Sequence, residues 1–164
     1  MSRVGDQQVE LLRALARHGV EFVVVGGVGA QVHGWLGATA DLDIAVSTED
    51  SNVTRLNVAL ASVGAGSRAI GALGTVFKTR HGRLEIVARA DGIGRYADWL
   101  RLAREHHIEE GLIVVVAAPE DILRSKQAAG REKDRAALAQ MRRDFVEAGA
   151  LERSPKPEPG GSFG

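Results

Sequence analysis

Two stretches, Glu21-Phe22-Val23-Val24-Val25-Gly26-Gly27 and Asp41-Leu42-Asp43-Ile44-Ala45-Val46, decide how this chain is read. The first is a short continuous apolar run halted by two residues that tolerate unusual dihedral angles, which predicts a buried strand ending in a turn. Residues 28–35 hold no proline and include Ala30, Gln31 and Val32. A helix is therefore expected directly after the glycines, with its unpaired N–H groups at the strand end, where they attract phosphate. In the second stretch Leu42, Ile44 and Val46 fall on one face of a strand, and Asp41, Asp43 and Ala45 on the other.

Carboxylates two positions apart on one strand are separated by roughly 7 Å at the backbone. Their side chains can bend toward one divalent cation and leave room for phosphate oxygens, and without a cation their charges repel. A strand, a diglycine turn and strand-borne carboxylates in this order suit a nucleoside triphosphate carried on Mg²⁺, and hence nucleotidyl transfer.

The chain has 164 residues, 45% hydrophobic and 26% charged, with a formal net charge of zero. This predicts a single folded domain over residues 1–150 and a disordered tail over 151–164, whose Lys-Pro-Glu-Pro-Gly-Gly-Ser-Phe-Gly end offers little that packs. No apolar run approaches the roughly 20 residues of a membrane span, and the N-terminus lacks the apolar stretch of a secretory signal. A cytoplasmic protein with no membrane partner is expected. The chain has no cysteine, which excludes disulfides and thiolate catalysis. His106 and His107 would point to opposite sides of a strand and His18, His33 and His81 lie on separate elements, so oxygen ligands are expected for any metal. Balanced charge and few aromatics argue against a nucleic-acid-binding surface.

Working outward, Asp6 is placed to cap a helix over residues 7–18 that carries Val9, Leu12, Leu15 and Ala16 inward. Ser51 or a neighbour is placed to cap another with Val53, Leu56, Leu60 and Val63. Thr75 to Arg80 and Arg83 to Ala88 read as a hairpin turning at His81-Gly82. That puts Glu85 mid-strand with two readings: a third acidic group beside Asp41 and Asp43, or the partner of Lys78 in a cross-strand ion pair. Residues 96–104 suggest a helix with Leu100 and Ala103 inward, and 106–110 and 112–117 a second hairpin. Pro119 opens a helix running to Gly130, and another begins near Glu132 and passes Phe145. Here Lys126 could supply the compact positive charge that a triphosphate needs. Arg131, Lys133 and Asp134 follow it, in a region whose acidic and basic residues nearly cancel.

Four ordered segments carry a resemblance: Val24-Val-Gly-Gly-Val-Gly-Ala-Gln-Val-His-Gly34, Thr39-Ala-Asp-Leu-Asp-Ile-Ala-Val46, Leu84-Glu-Ile-Val87 and Pro119-Glu-Asp-Ile-Leu-Arg-Ser-Lys-Gln-Ala-Ala-Gly-Arg-Glu-Lys-Asp134. The chain resembles the small bacterial members of the DNA polymerase β-like nucleotidyltransferase superfamily. Among these it is most similar to the minimal enzymes related to the toxins of type IV, abortive-infection toxin–antitoxin systems. The resemblance implies an α+β nucleotidyltransferase fold, a mixed twisted sheet flanked by helices with two helices at the C-terminal end. It implies that Gly26 and Gly27 form the phosphate-side turn, that Asp41, Asp43 and Glu85 hold one or two Mg²⁺ ions, and that Thr39, Lys126 and Arg131 contact the nucleotide. Asp134 would either orient Arg131 and Lys126 or approach the substrate.

The expected reaction moves a nucleoside monophosphate from a nucleoside triphosphate to a hydroxyl of a tRNA, a protein or a small molecule. Toxin kinship favours the first two and implies an antitoxin partner. Two positions depart from the family pattern: Leu36-Gly-Ala-Thr39 has no arginine before the acidic strand, and Glu85 stands where a third aspartate is usual. The alternative reading is a degenerate member of the fold that binds a nucleotide or partner without catalysis.

Overall fold

Apolar alternation at Leu42, Ile44, Leu84 and Ile86 builds the middle of a six-stranded mixed sheet, with all four side chains fully buried on one face. The computed structural model describes residues 4–66, 74–130 and 135–153. The strands are β1 (Phe22–Val25), β2 (Leu42–Val46), β3 (Thr75–Thr79), β4 (Gly82–Ile86), β5 (Arg104–Glu109) and β6 (Leu112–Val116), in the order β3-β4-β2-β1-β6-β5. The hairpins β3/β4 and β5/β6 are antiparallel, as is β1/β2, whereas β2/β4 and β1/β6 are parallel.

Helices α1 (Asp6–Arg17) and α3 (Asp50–Ser62) cover one face, where Leu12, Leu15, Leu56 and Leu60 meet Val24, Leu42 and Ile44. Helices α4 (Tyr96–Leu100), α5 (Pro119–Ala129) and α6 (Arg135–Glu147) supply Trp99, Ile122, Leu123, Met141 and Phe145 to the other, against Val23, Val25 and Ala45. Each fully buried Leu, Ile or Phe contributes roughly 1.5–3 kcal/mol. Helix α2 (Gly26–Val32) begins at the first glycine, two residues before the stretch that the sequence marks as helical. No helix among the described residues is long and apolar enough to cross a membrane.

Several expectations are corrected. Asp6 is the first helical residue and Gly5 is the N-cap of α1, with no side-chain cap; Glu49, not Ser51, precedes α3. The β3/β4 loop is Arg80-His81, because Thr79 pairs with Gly82. The Thr79 hydroxyl accepts the His81 N–H at 3.0 Å and donates to the Gly82 carbonyl at 2.7 Å, and Gly82 takes φ 95°, so the turn closes one residue earlier than glycine's position suggested. The shift puts Lys78 opposite Arg83 and Val76 opposite Glu85, and the ion pair expected between Lys78 and Glu85 does not form in this register. In the short α4, Leu100 is 42% exposed and Trp99 2%, so Trp99 takes the inward place expected of Leu100, while Ala103, beyond the helix end, is buried as expected. Asp98 Oδ2 accepts the Arg95 N–H at 2.9 Å, which fixes the start of this turn. Arg131, Lys133, Asp134 and the tail from residue 154 lie outside the described residues.

Candidate functional site

Three adjacent strands set the site. Val25 at the end of β1 stands opposite Asp43 on β2, and Asp43 stands opposite Glu85 on β4. In-register neighbours point to the same side, so both carboxylates emerge on the face that carries α4, α5 and α6. Gly26 follows at once with φ +63°, and a Cβ there would collide with the Asp43 carboxylate. A Cβ on Gly27 would lie 2.7 Å from Thr39 Cβ. The diglycine is thus required by close packing against both Asp43 and Thr39.

These residues line a cleft of about 450 Å³. Gly26, Gly27, Thr39, Asp43, Glu85, Ser125 and Lys126 supply its polar part, and Trp35, Val87, Ala90, Trp99, Ile122 and Met141 most of its apolar wall. Roomier clefts of about 720 and 750 Å³, with walls from β5 and the end of α2, and one of about 510 Å³ beside Glu21 and Tyr96 include neither carboxylate. The chemistry of the walls selects the smallest of these.

Burial and the neighbouring Glu85 carboxylate, with a smaller push from Asp41, raise the Asp43 pKa from 3.8 to about 7. A side-chain hydrogen bond with Glu85 adds to the same upward shift of Asp43. Asp43 Oδ1 is buried with no hydrogen-bond partner among the described residues. A buried, orphaned carboxylate oxygen beside a second carboxylate is costly, and both faults are relieved by a hard divalent cation. The donor set therefore suits a hard divalent cation.

Asp41 is placed differently. It sits at a bend before β2, outside the cleft lining, with Oδ2 3.9 Å from Arg83 Nε. Among the described residues no three His, Cys, Asp or Glu side chains are arranged to hold a metal as they stand. The structure thus brings Asp43 and Glu85 together and leaves Asp41 at the rim, in an exposed ion pair of the kind that contributes about 0–1 kcal/mol.

The loop from Gly34 to Ala40 is pinned from three sides. Gln8 Nε2 donates to the Thr39 and Ala40 carbonyls at 3.2 and 3.0 Å, Gln31 Nε2 donates to the Gly37 carbonyl at 3.0 Å, and the Leu36 N–H donates to Asp144 Oδ2 at 3.1 Å. These bonds carry Thr39 to Gly27. On α5, Ile122 packs toward Gly29, holding α5 on α2 and placing Ser125 and Lys126 at the cleft. His33 plays a packing role: its Nε2 lies 2.7 Å from the Ala117 carbonyl, and its ring meets His106 and Phe145 edge-on at 5.1 and 5.8 Å. Trp35, Trp99, Ser125 and Met141 were not singled out from sequence. The bulk of the two tryptophans was their one legible signal.

No family model matches the chain, and no curated protein matches it in sequence. Solved structures do. The lincomycin-bound lincosamide antibiotic adenylyltransferase LnuA superposes with a TM-score of 0.60 at 16% identity, over 87% of this chain and 98% of that one. The antibiotic-resistance factor ANT(2'')-Ia superposes at 0.53 in its solution structure, with 13% identity over 87% and 93% of the two chains. Its crystal structure with adenylyl-2''-tobramycin also gives 0.53, with 14% identity over 84% and 96%. These superpositions show that the chain shares the fold of these nucleotidyltransferase structures.

Proposed function

We propose that this protein is a metal-dependent nucleotidyltransferase that moves a nucleoside monophosphate from a nucleoside triphosphate to a hydroxyl of a small molecule. The observation that carries the reading is the Asp43–Glu85 pair, with its orphaned oxygen, beside the Gly26-Gly27 turn. The acceptor class is supported by the likeness to LnuA, a lincosamide antibiotic adenylyltransferase, and to ANT(2'')-Ia, an antibiotic-resistance factor seen with adenylyl-2''-tobramycin, and by a cleft of about 450 Å³, which suits a compact ligand.

In this mechanism Asp43 and Glu85 would hold Mg²⁺, and Asp41, at the rim beside Arg83, would be the third carboxylate available to it. Bound there, Mg²⁺ offsets the charge of the phosphates and of departing pyrophosphate. The amides at Gly26-Gly27, the Thr39 hydroxyl and Lys126 hold the phosphate chain, with Arg131 and Asp134 completing the nucleotide contacts. The acceptor oxygen bonds to the α-phosphorus, the bond from that phosphorus to the β-phosphate oxygen breaks, and Glu85 takes the hydroxyl proton.

The test is incubation with each α-labelled nucleoside triphosphate, Mg²⁺ and separate pools of small molecules, tRNA and protein, with Asp43→Ala alongside. Label on small molecules from the wild type alone supports the proposal. Label on tRNA or protein would instead support the toxin-like reading, whose antitoxin partner could then be sought. Magnesium-dependent nucleotide binding with no transfer favours the non-catalytic reading, which Glu85 and the arginine-free 36–39 segment motivate.

A further inference from the structure

Trp99 is 2% exposed, lines the cleft, and its indole N–H has no hydrogen-bond partner among the described residues. An indole nitrogen only donates, and a buried donor left unpaired among the described residues is disfavoured, so the group suits an acceptor atom brought by a bound molecule. Its position shows which substrate would bring one. Val87 and Ala90 follow Glu85 in the chain and share the cleft wall with Trp99, whereas the groups that suit phosphate come from α2, α5 and the loop before β2. A molecule presenting its hydroxyl to Glu85 from that wall therefore lies against Trp99.

The charges narrow the class further. Among the described residues Asp43, Glu85 and Lys126 are the ionisable side chains in the lining, and in the proposed reaction the two carboxylates serve the cation. Among these described residues no further acid is left to pair an ammonium group, and one lysine is too little for a polyanion. We propose, on the transfer reading above, that Trp99 is a specificity residue whose indole N–H donates to an oxygen of an uncharged, apolar-bodied alcohol seated against Val87, Ala90 and Met141.

The chain has two tryptophans, so ¹⁵N-labelled protein gives two indole signals, assigned with Trp99→Phe or, if that variant does not fold, Trp35→Phe. The full chain is saturated with Mg²⁺ and α,β-methylene-ATP and titrated with uncharged glycosides and aryl alcohols, with tobramycin, and with a short single-stranded RNA. We expect at least one neutral alcohol to move the Trp99 indole proton downfield. In transfer assays with that alcohol, Trp99→Phe should raise KM about tenfold and leave kcat within about twofold, as loss of one binding hydrogen bond does. A Trp99 signal unmoved by every neutral alcohol, or moved instead by tobramycin or RNA, overturns the inference. The underlying reading fails separately: an alcohol that moves Trp99 and never receives label sinks transfer and leaves the contact standing, while label on an alcohol that leaves Trp99 unmoved does the reverse.

Discussion

Asp144 of α6 accepts the backbone N–H of Leu36 at 3.1 Å, so the C-terminal helix holds the loop that runs from α2 to Thr39. Asp144 is itself 6% exposed, and its second oxygen takes the Gln140 side-chain N–H at 2.9 Å. The loop's place beside Gly27 thus depends on a residue from the far end of the chain.

Asp144→Ala should therefore loosen the loop as well as the helix. Loss of a buried acceptor with two donors is expected to destabilise the fold by about 1–3 kcal/mol. Urea denaturation checks that figure, and calorimetry with Mg²⁺ and a triphosphate analogue checks for weaker nucleotide binding. Unchanged nucleotide affinity in a folded Asp144→Ala variant would mean that the loop is held without this bond.

The Asp43 pKa of about 7 against 3.8 for the free side chain makes stability depend on pH in a definite direction. The folded chain binds this proton more tightly than the unfolded chain, so the contribution is complete below about pH 4 and is lost as pH rises through about 7. Thermal melts without metal should show this decline between those values, and Asp43→Asn should flatten it. Added Mg²⁺ should raise Tm at pH 8 more than at pH 5, by about 2.7 kcal/mol of stability when its concentration is a hundred times Kd. Equal gains at both pH values would argue against cation binding at this pair.

Glu85→Gln separates stability from activity. Glutamine removes one charge from the pair and can donate to Asp43, so the variant should melt higher than wild type at pH 8. Its transfer rate should fall by a factor on the order of 10²–10⁴, the usual range for loss of a positioned acid–base group. Glu85→Asp, with the shorter side chain, should keep measurable activity. A Gln variant as active as wild type would remove Glu85 from the chemistry.

At Gly26 the φ of +63° and the absence of space for a Cβ act together. Gly26→Ala should cost about 1–3 kcal/mol from the backbone alone. The displaced Asp43 carboxylate should also abolish magnesium-dependent nucleotide binding, measurable by calorimetry on whatever fraction folds.

Much of this was legible before any coordinates. Period-two alternation fixes which side of β2 carries Asp43, and the apolar run into Gly26-Gly27 marks the strand end, because both signals are local. The β3/β4 register was missed by one residue, since the Thr79 hydroxyl and the backbone of Gly82 chose the turn. Trp99 was missed because a helix of only five residues has too little periodicity to show its buried face. Asp41 was read with Asp43 as a pair on one strand, yet the strand begins at Leu42 and Arg83 on the next strand but one from β1 draws Asp41 to the rim. Side-chain partners supplied by distant segments leave no mark in the local pattern.

The parallel pairing of β2 with β4 has a consequence for how the chain reaches this state. Parallel neighbours cannot be closed by a tight turn, so α3 and the residues up to β3 must be threaded across before Glu85 can settle beside Asp43. Contacts between segments so separated in sequence form late and slowly, after local helices and hairpins. The acidic pair thus comes into being only when the central sheet is complete, and a partly folded chain, whatever its helix content, lacks the paired carboxylates to which the proposed function assigns the cation. Recovery of magnesium affinity during refolding should therefore trail the recovery of secondary structure and report arrival at the native topology.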